Sequence, residues 1–275
     1  MPATLDSILA ATRKRVDRAR EEADLRQLER QAEMHAPRGF SRELRRAGGS
    51  SIAVIAELKK ASPSRGTIRE NFDVQQLASD LQAGGATALS VLTDEEFFHG
   101  SLANLRLASA TASLPCLRKD FIIDEFQLLE SRANCADAVL LIVAALSDSE
   151  LRLLSAGARE RGLDVLCEVH DEDELDRALA AGCDLIGVNS RNLRTFEVDL
   201  QTPLRLAKLL PHGVLAVAES GIHSAEEVRE LRSAGYQAFL VGESLMKHPH
   251  PGVVLRELIT QSVAVAADSN REVAR

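Results

Sequence analysis

From residue 51 onward, short runs rich in Val, Ile, Leu and Ala alternate with longer amphipathic stretches, and this alternation constrains the fold more than any other feature of the chain. The runs are IAVIAEL (52–58), TALSVL (87–92), LPCLR (114–118), DAVLLIV (137–143), LDVLCEV (163–169), DLIGVN (184–189), VLAVAES (214–220) and QAFLVGE (237–243). Most are nearly continuous in apolar character, the pattern of parallel strands covered on both faces. Parallel strands need long crossovers, so helices must lie between them. Eight such units in about 210 residues suit a closed barrel, whereas a doubly wound sheet usually has five or six strands and a glycine-rich first turn. No GxGxxG follows any run. The expected fold is therefore α/β, a (β/α)8 TIM barrel with an N-terminal helical extension.

Helix starts are marked by cap chemistry, in which a short polar side chain accepts from an orphan amide and a Glu or Gln three residues later reaches back. Asp73 with Gln76, Asp124 with Gln127, Ser147 with Glu150, Asp171 with Glu174 and Ser224 with Glu227 fit this pattern. Thr202-Pro203 places proline at a first helical position. Glycines in AGGAT, AGCD and AGYQ stand where helices should stop. One barrel domain is expected over 1–275, with 1–50 as a helical extension that covers one end and 264–275 as a polar tail that frays.

Composition narrows the class. With 45% hydrophobic and 27% charged residues, and no uncharged apolar run long enough to span a bilayer, no membrane partner is expected. The opening MPATLDSILAATRKRVDRAR mixes acids and bases at helical spacing, unlike a signal peptide, so the expected location is cytoplasmic. A net charge of −8 argues against a nucleic-acid partner, which needs a basic face to displace counterions. A few lysines in a pocket can still hold a small anion. Cys116, Cys135, Cys167 and Cys183 sit singly inside apolar segments and read as reduced core thiols. The close pair His248-Pro-His250 reads as a loop, and no metal site is expected.

In such a barrel, chemistry belongs at the carboxyl ends of the strands, where the loops share one mouth. Glu57 and Lys59 end the first run two residues apart, hence on one face. The third run ends in Lys119, the fifth in Glu168, the sixth in Asn189 and Arg191, and the seventh in Glu219 and Ser220. Singly, each has a bland reading as a solvated charge, a structural ion-pair member or a turn residue. Their repetition at one end of the strands does not, because converging acids and bases shift one another's pKa values as proton transfer requires. Ser220-Gly221 and Gly242-Glu243-Ser244 add small residues whose amides can approach an anion, at the usual phosphate position of these barrels. A tight turn needing glycine is the competing reading.

At these residues the chain resembles the indole-3-glycerol phosphate synthase family of barrel enzymes. The matching stretches are IAELKKASPSRG, TDEEFFHGS, LRKDFIID, LCEVH, GVNSRNLRTFEVD, AESGI and VGESLM. Ser190, where asparagine is common, and Leu58 depart from the family pattern at positions not expected to do chemistry. The resemblance implies closure of an indole ring on 1-(2-carboxyphenylamino)-1-deoxyribulose 5-phosphate, with loss of carbon dioxide and water in tryptophan biosynthesis. It implies Lys119 as general acid, Glu168 for proton transfer in the dehydration, Lys59 as a second acid and Glu57 as their tuner. Asn189 and Arg191 would orient the substrate, Glu219 would close the polar ring and Phe98 would meet the anthranilate ring. Ser62, Gly221, Gly242 and Ser244 would bind phosphate beside Ser220. No metal or organic cofactor is implied, and a monomer or weak homodimer is expected. Two rivals stay open: a sugar-phosphate isomerase on the same barrel, such as a phosphoribosylanthranilate isomerase, and a non-catalytic binder of phosphometabolites.

Overall fold

A computed structural model of the chain describes residues 4–191, 198–199 and 201–272. Among these residues eight parallel strands close into a barrel: β1 (Ala53–Leu58), β2 (Ala88–Leu92), β3 (Cys116–Lys119), β4 (Ala138–Ile142), β5 (Asp164–Val169), β6 (Leu185–Asn189), β7 (Leu215–Glu219) and β8 (Ala238–Val241). Each lies within one of the apolar runs except β3, which extends one residue beyond its run to Lys119. Closure is made by β1 against β8, in register from Ala53 opposite Ala238 to Ala56 opposite Val241.

Alternation along the strands separates two cores. Ile55, Leu117, Leu140, Leu166, Leu215 and Leu240 pack together inside the barrel. Val54, Leu89, Val139, Val165, Ile186 and Phe239 belong to the layer beneath the helices. Successive side chains point to opposite faces. Continuing that alternation to the carboxyl ends makes Glu57, Lys119, Glu168, Asn189 and Glu219 the last inward residues of their strands.

The crossover helices start largely where the caps stand. Ser147 with Glu150 and Ser224 with Glu227 form complete capping boxes. Asp73 and Asp171 accept from the amides of Gln76 and Glu174. Asp124 differs, accepting from Phe126 N at 2.8 Å. Its expected partner Gln127 is drawn inward, donating to Phe121 O at 2.9 Å and accepting from Ile123 N at 2.8 Å. Pro203 lies inside the helix Gln201–Leu206 and not at its first position.

The first fifty residues cover both ends of the barrel, where one was expected. Helices α1 (Leu5–Glu22), α2 (Leu25–Met34) and α3 (Phe40–Ser50) make up the extension. Fully buried Phe40 and Leu44 of α3 plug the amino-terminal end. Helix α1 lies at the other end, where Leu5 and Ile8 reach the mouth and Arg15 binds Asp120 at 2.7 Å. The chain's last helix is Pro251–Glu272, so the expected loose tail is helical as far as Glu272, and 273–275 lie outside the described residues. Among the described residues no helix is long and apolar enough to cross a membrane.

The four cysteines are not all reduced. Cys167 and Cys183 are joined as a disulfide, with Cα atoms 6.5 Å apart, while Cys116 and Cys135 are free. The pairing was hidden in the sequence because it depends on β5 and β6 lying side by side.

Candidate active site

The mouth is built from the ends of the strands. Glu57, Lys59, Ser62, Phe98, Lys119, Glu168, Asn189, Arg191, Glu219, Ser220, Gly221, Gly242 and Ser244 all line one cavity there. Ser62 comes from a short antiparallel hairpin, Ala61–Ser62 against Gly66–Thr67, that follows β1. Every residue singled out from the sequence is thus brought to one place.

Two lysine-carboxylate pairs face each other across the cavity. Lys59 Nζ lies 2.7 Å from Glu57 Oε1. Lys119 Nζ lies 3.0 Å from Glu168 Oε2 and 3.6 Å from Glu219 Oε2. Burial by itself would push the Lys119 ammonium down, but the carboxylates of Glu168, Glu219 and Glu57 outweigh it and raise its pKa. For Glu168 burial acts upward, and Lys119 with His170 overcomes it, holding this carboxyl well below the usual range. Burial pushes Glu219 up to about 8; Lys119 opposes the shift and Glu168 reinforces it. An ammonium thus lies between one carboxyl whose pKa is held down and one whose pKa is pushed up, an arrangement suited to supplying both an acid and a base.

Room for the Glu219 carboxyl comes from Gly187 in the middle of β6. A Cβ there would meet Glu219 Oε1 at 1.9 Å, so no larger residue fits while Glu219 points inward. Among the described residues Glu219 Oε1 and the Ser62 hydroxyl are buried without a hydrogen-bond partner, which leaves both for a ligand. At the turn after β7, Ser220 (φ 66°) and Gly221 (φ 74°) are both left-handed. For serine that conformation is strained, and strain of this kind concentrates at functional sites. Ser244, in the short helix Glu243–Met246, donates to Ile222 O at 3.3 Å, tying the last two loops together. Asn189 accepts from Arg191 N at 3.0 Å, and the Arg191 guanidinium lies 3.7 Å from Glu243.

Sequence reasoning missed most of the apolar wall. Phe121 packs against Phe98 with ring centroids 6.3 Å apart, and Leu92, Leu140, Ile142 and Leu240 continue the surface from the strands. Their signal was the inward phase of each run; it looked like ordinary core. Leu5 and Ile8 of α1 were missed because nothing local places an extension over a mouth. Arg118 and Asp120, the sequence neighbours of Lys119, belong to a buried ion-pair network. Arg118 binds Asp120 at 3.0 Å and Glu130 at 2.8 Å, and Thr93 donates to Asp120 at 2.7 Å. Among the described residues no group of three or more His, Cys, Asp or Glu is arranged to hold a metal ion.

The comparisons with known proteins agree with one another. A family model described as indole-3-glycerol phosphate synthase matches residues 5–258. A Koribacter versatilis protein of that name is 56% identical over 259 residues, covering 94% of this chain and 100% of that protein. A Bordetella pertussis protein of the same name is 50% identical over 257 residues, covering 93% and 98%. Among solved structures, 3-hexulose-6-phosphate synthase from Salmonella typhimurium gives a TM-score of 0.62 at 13% identity, covering 77% of this chain and 98% of that one. Thiamine phosphate pyrophosphorylase from Pyrococcus furiosus gives 0.56 at 18% identity, covering 77% and 95%. These last two likenesses bear on the barrel fold alone.

Proposed function

The chain belongs to the indole-3-glycerol phosphate synthase family, and from that premise we propose how its residues share the work of the ring closure. The reaction converts 1-(2-carboxyphenylamino)-1-deoxyribulose 5-phosphate to indole-3-glycerol phosphate, carbon dioxide and water. The aromatic carbon that carries the carboxylate attacks the keto carbon of the sugar, and the keto oxygen gains charge. Lys119 donates a proton to that oxygen as the carbon–carbon bond forms. Loss of carbon dioxide returns the electron pair to the ring. The new hydroxyl then leaves as water, and a proton is removed from the neighbouring carbon to complete the indole.

Glu168 takes that last proton, and Lys59 protonates the departing hydroxyl under the control of Glu57. Glu219, its pKa pushed up by burial and one of its oxygens unpaired among the described residues, donates to a substrate hydroxyl. Asn189 and Arg191 orient the sugar, and Phe98 with Phe121 flanks the anthranilate ring. Ser220, Gly221, Gly242 and Ser244 grip the phosphate at the turns after β7 and β8, joined by Ser62 from the hairpin after β1. The observation that carries this reading is the contact of Lys119 Nζ with two buried carboxyls at the cavity, Glu168 at 3.0 Å and Glu219 at 3.6 Å. All these groups come from one chain, which suits a monomer or a weakly associated homodimer.

Incubating the purified protein with the carboxyphenylamino substrate should produce indole fluorescence. Isomerisation of a phosphoribosylamine without fluorescence would favour the isomerase, and binding without turnover the phosphometabolite binder. Ser244→Asp should raise KM for the phosphorylated substrate at least about tenfold through like-charge repulsion, with kcat nearly kept. An unchanged KM in steady-state assays would displace the anion site. Gly187→Ala should keep the barrel but push the Glu219 carboxyl aside, and a shift of about 1 Å can cost about 10²-fold in rate. Wild-type kcat in that variant would show that the position of Glu219 does not matter.

A further inference from the structure

We propose that His170 is a positioning residue, clamped by Glu174, whose imidazolium keeps Glu168 ionised and aimed at Lys119 while Lys119 gives up its proton. The inference rests on the reading of Glu168 as the group that receives a proton.

His170 is the first residue after β5. Its backbone amide donates to Glu174 Oε2 at 2.9 Å, and its Nδ1 lies 3.0 Å from the same oxygen. Two contacts from one residue to one carboxylate oxygen fix the plane and direction of the ring. The far nitrogen is then turned inward, where Nε2 is buried, lacks a hydrogen-bond partner among the described residues, and lies 3.4 Å from Glu168 Oε1. The other oxygen of Glu168 faces Lys119 at 3.0 Å. Each oxygen of this carboxylate thus confronts a different nitrogen.

An imidazole placed between two carboxylates serves both only when both its nitrogens carry protons. Burial pushes the His170 pKa down, but Glu168 and Glu174 outweigh it and raise it to about 10. The titratable groups facing the ring are Glu168 from its own strand and Glu174 from helix Glu172–Ala180, with Lys119 of β3 and Glu219 of β7 beyond Glu168. Charges therefore alternate along a line: Glu174 negative, His170 positive, Glu168 negative, Lys119 positive.

The arrangement matters at one moment of the reaction. When Lys119 has protonated the keto oxygen it is neutral, and Glu168, with a side chain 1% exposed, has lost its nearest cation. A buried carboxylate without a cation takes up a proton. A second cation at 3.4 Å prevents this, so Glu168 remains a base for the dehydration. The competing reading makes His170 a loop residue whose amide is satisfied by Glu174 and whose ring only packs.

The test compares pH profiles of kcat and KM for wild type, His170→Gln and Glu174→Gln, with Glu168→Gln as control. Without the imidazolium the acid limb of kcat should move up by about one pH unit, with KM nearly unchanged. Glu174→Gln should move it less, in the same direction. In the wild-type protein, ¹⁵N NMR should find both ring nitrogens of His170 protonated at pH 8. A folded, active His170→Gln whose acid limb stays in place overturns the proposal, as does a neutral ring at pH 8, which decides the matter even if the variants fail to fold. Full turnover by Glu168→Gln would instead remove Glu168 from the mechanism. An inactive Glu168→Gln beside an unshifted His170→Gln would leave Glu168 in place and dismiss His170 alone.

Discussion

Lys119→Ala should fold as the wild type does and lose about 10²- to 10⁴-fold or more in kcat, the usual cost of removing a positioned general acid. The barrel should survive because Lys119 ends its strand inside a cavity and carries no part of the apolar core. Without the ammonium, the carboxyls of Glu168 and Glu219 lose the cation between them, and His170 is left to hold Glu168 ionised. The variant therefore loses its acid and part of the support of its base. Arginine should not rescue it, since a guanidinium does not give up its proton near neutral pH. Indole fluorescence checks rate, and far-ultraviolet circular dichroism checks fold. Near-normal turnover would take Lys119 out of the chemistry.

The largest loss of stability should come from Asp120→Ala, at the residue just after the end of β3. The Asp120 side chain is wholly buried and accepts from Arg118 at 3.0 Å, Arg15 at 2.7 Å, Thr93 at 2.7 Å and its neighbour Phe121 N at 2.8 Å. Removing one partner of a buried ion pair costs about 3–5 kcal/mol, because the remaining charge stays buried and uncompensated. Arg118, 2% exposed, keeps Glu130, Gln127 O, Ser131 and Thr93 but loses the buried carboxylate of Asp120, and Arg15 loses its 2.7 Å contact at the mouth. Thermal and urea unfolding should both report the loss, and an unchanged midpoint would contradict it. Acid should weaken the same network. Burial pushes the Asp120 pKa up, but Arg118 and Arg15 pull it below the ordinary value. Its contribution is then complete above the unfolded pKa of about 3.9 and disappears as pH falls through the lower folded value. Stability of the Asp120→Ala variant should fall less steeply over that window.

The candidate site was legible to an unusual depth in residue choice and to almost none in pairing. Glu57, Lys119, Glu168, Asn189 and Glu219 could be read from the sequence as strand-end polar groups, because apolar runs that stop in acids and bases announce themselves. The apolar wall of Leu92, Phe121, Leu140, Ile142 and Leu240 could not be told from core, since burial against a ligand and burial against protein select the same side chains. His170 was not singled out, although it ends the LCEVH stretch. Its position next to Glu168 depends on the direction in which Glu174 turns the ring.

By itself the sequence determined the number and order of the strands, the helix starts at Ser147 and Ser224, and which residues face inward at the mouth. These follow from period-two backbone geometry and cap chemistry, which act within a few residues. Tertiary structure alone decided that Lys119 meets Glu168 and Glu219 while Lys59 meets Glu57, that the extension covers both ends, and that Cys167 joins Cys183. It also decided that two similar glutamates have their pKa values pushed in opposite directions, because desolvation and the Coulomb field of Lys119 depend on distances of a few ångströms. Those distances exist only once the barrel has closed.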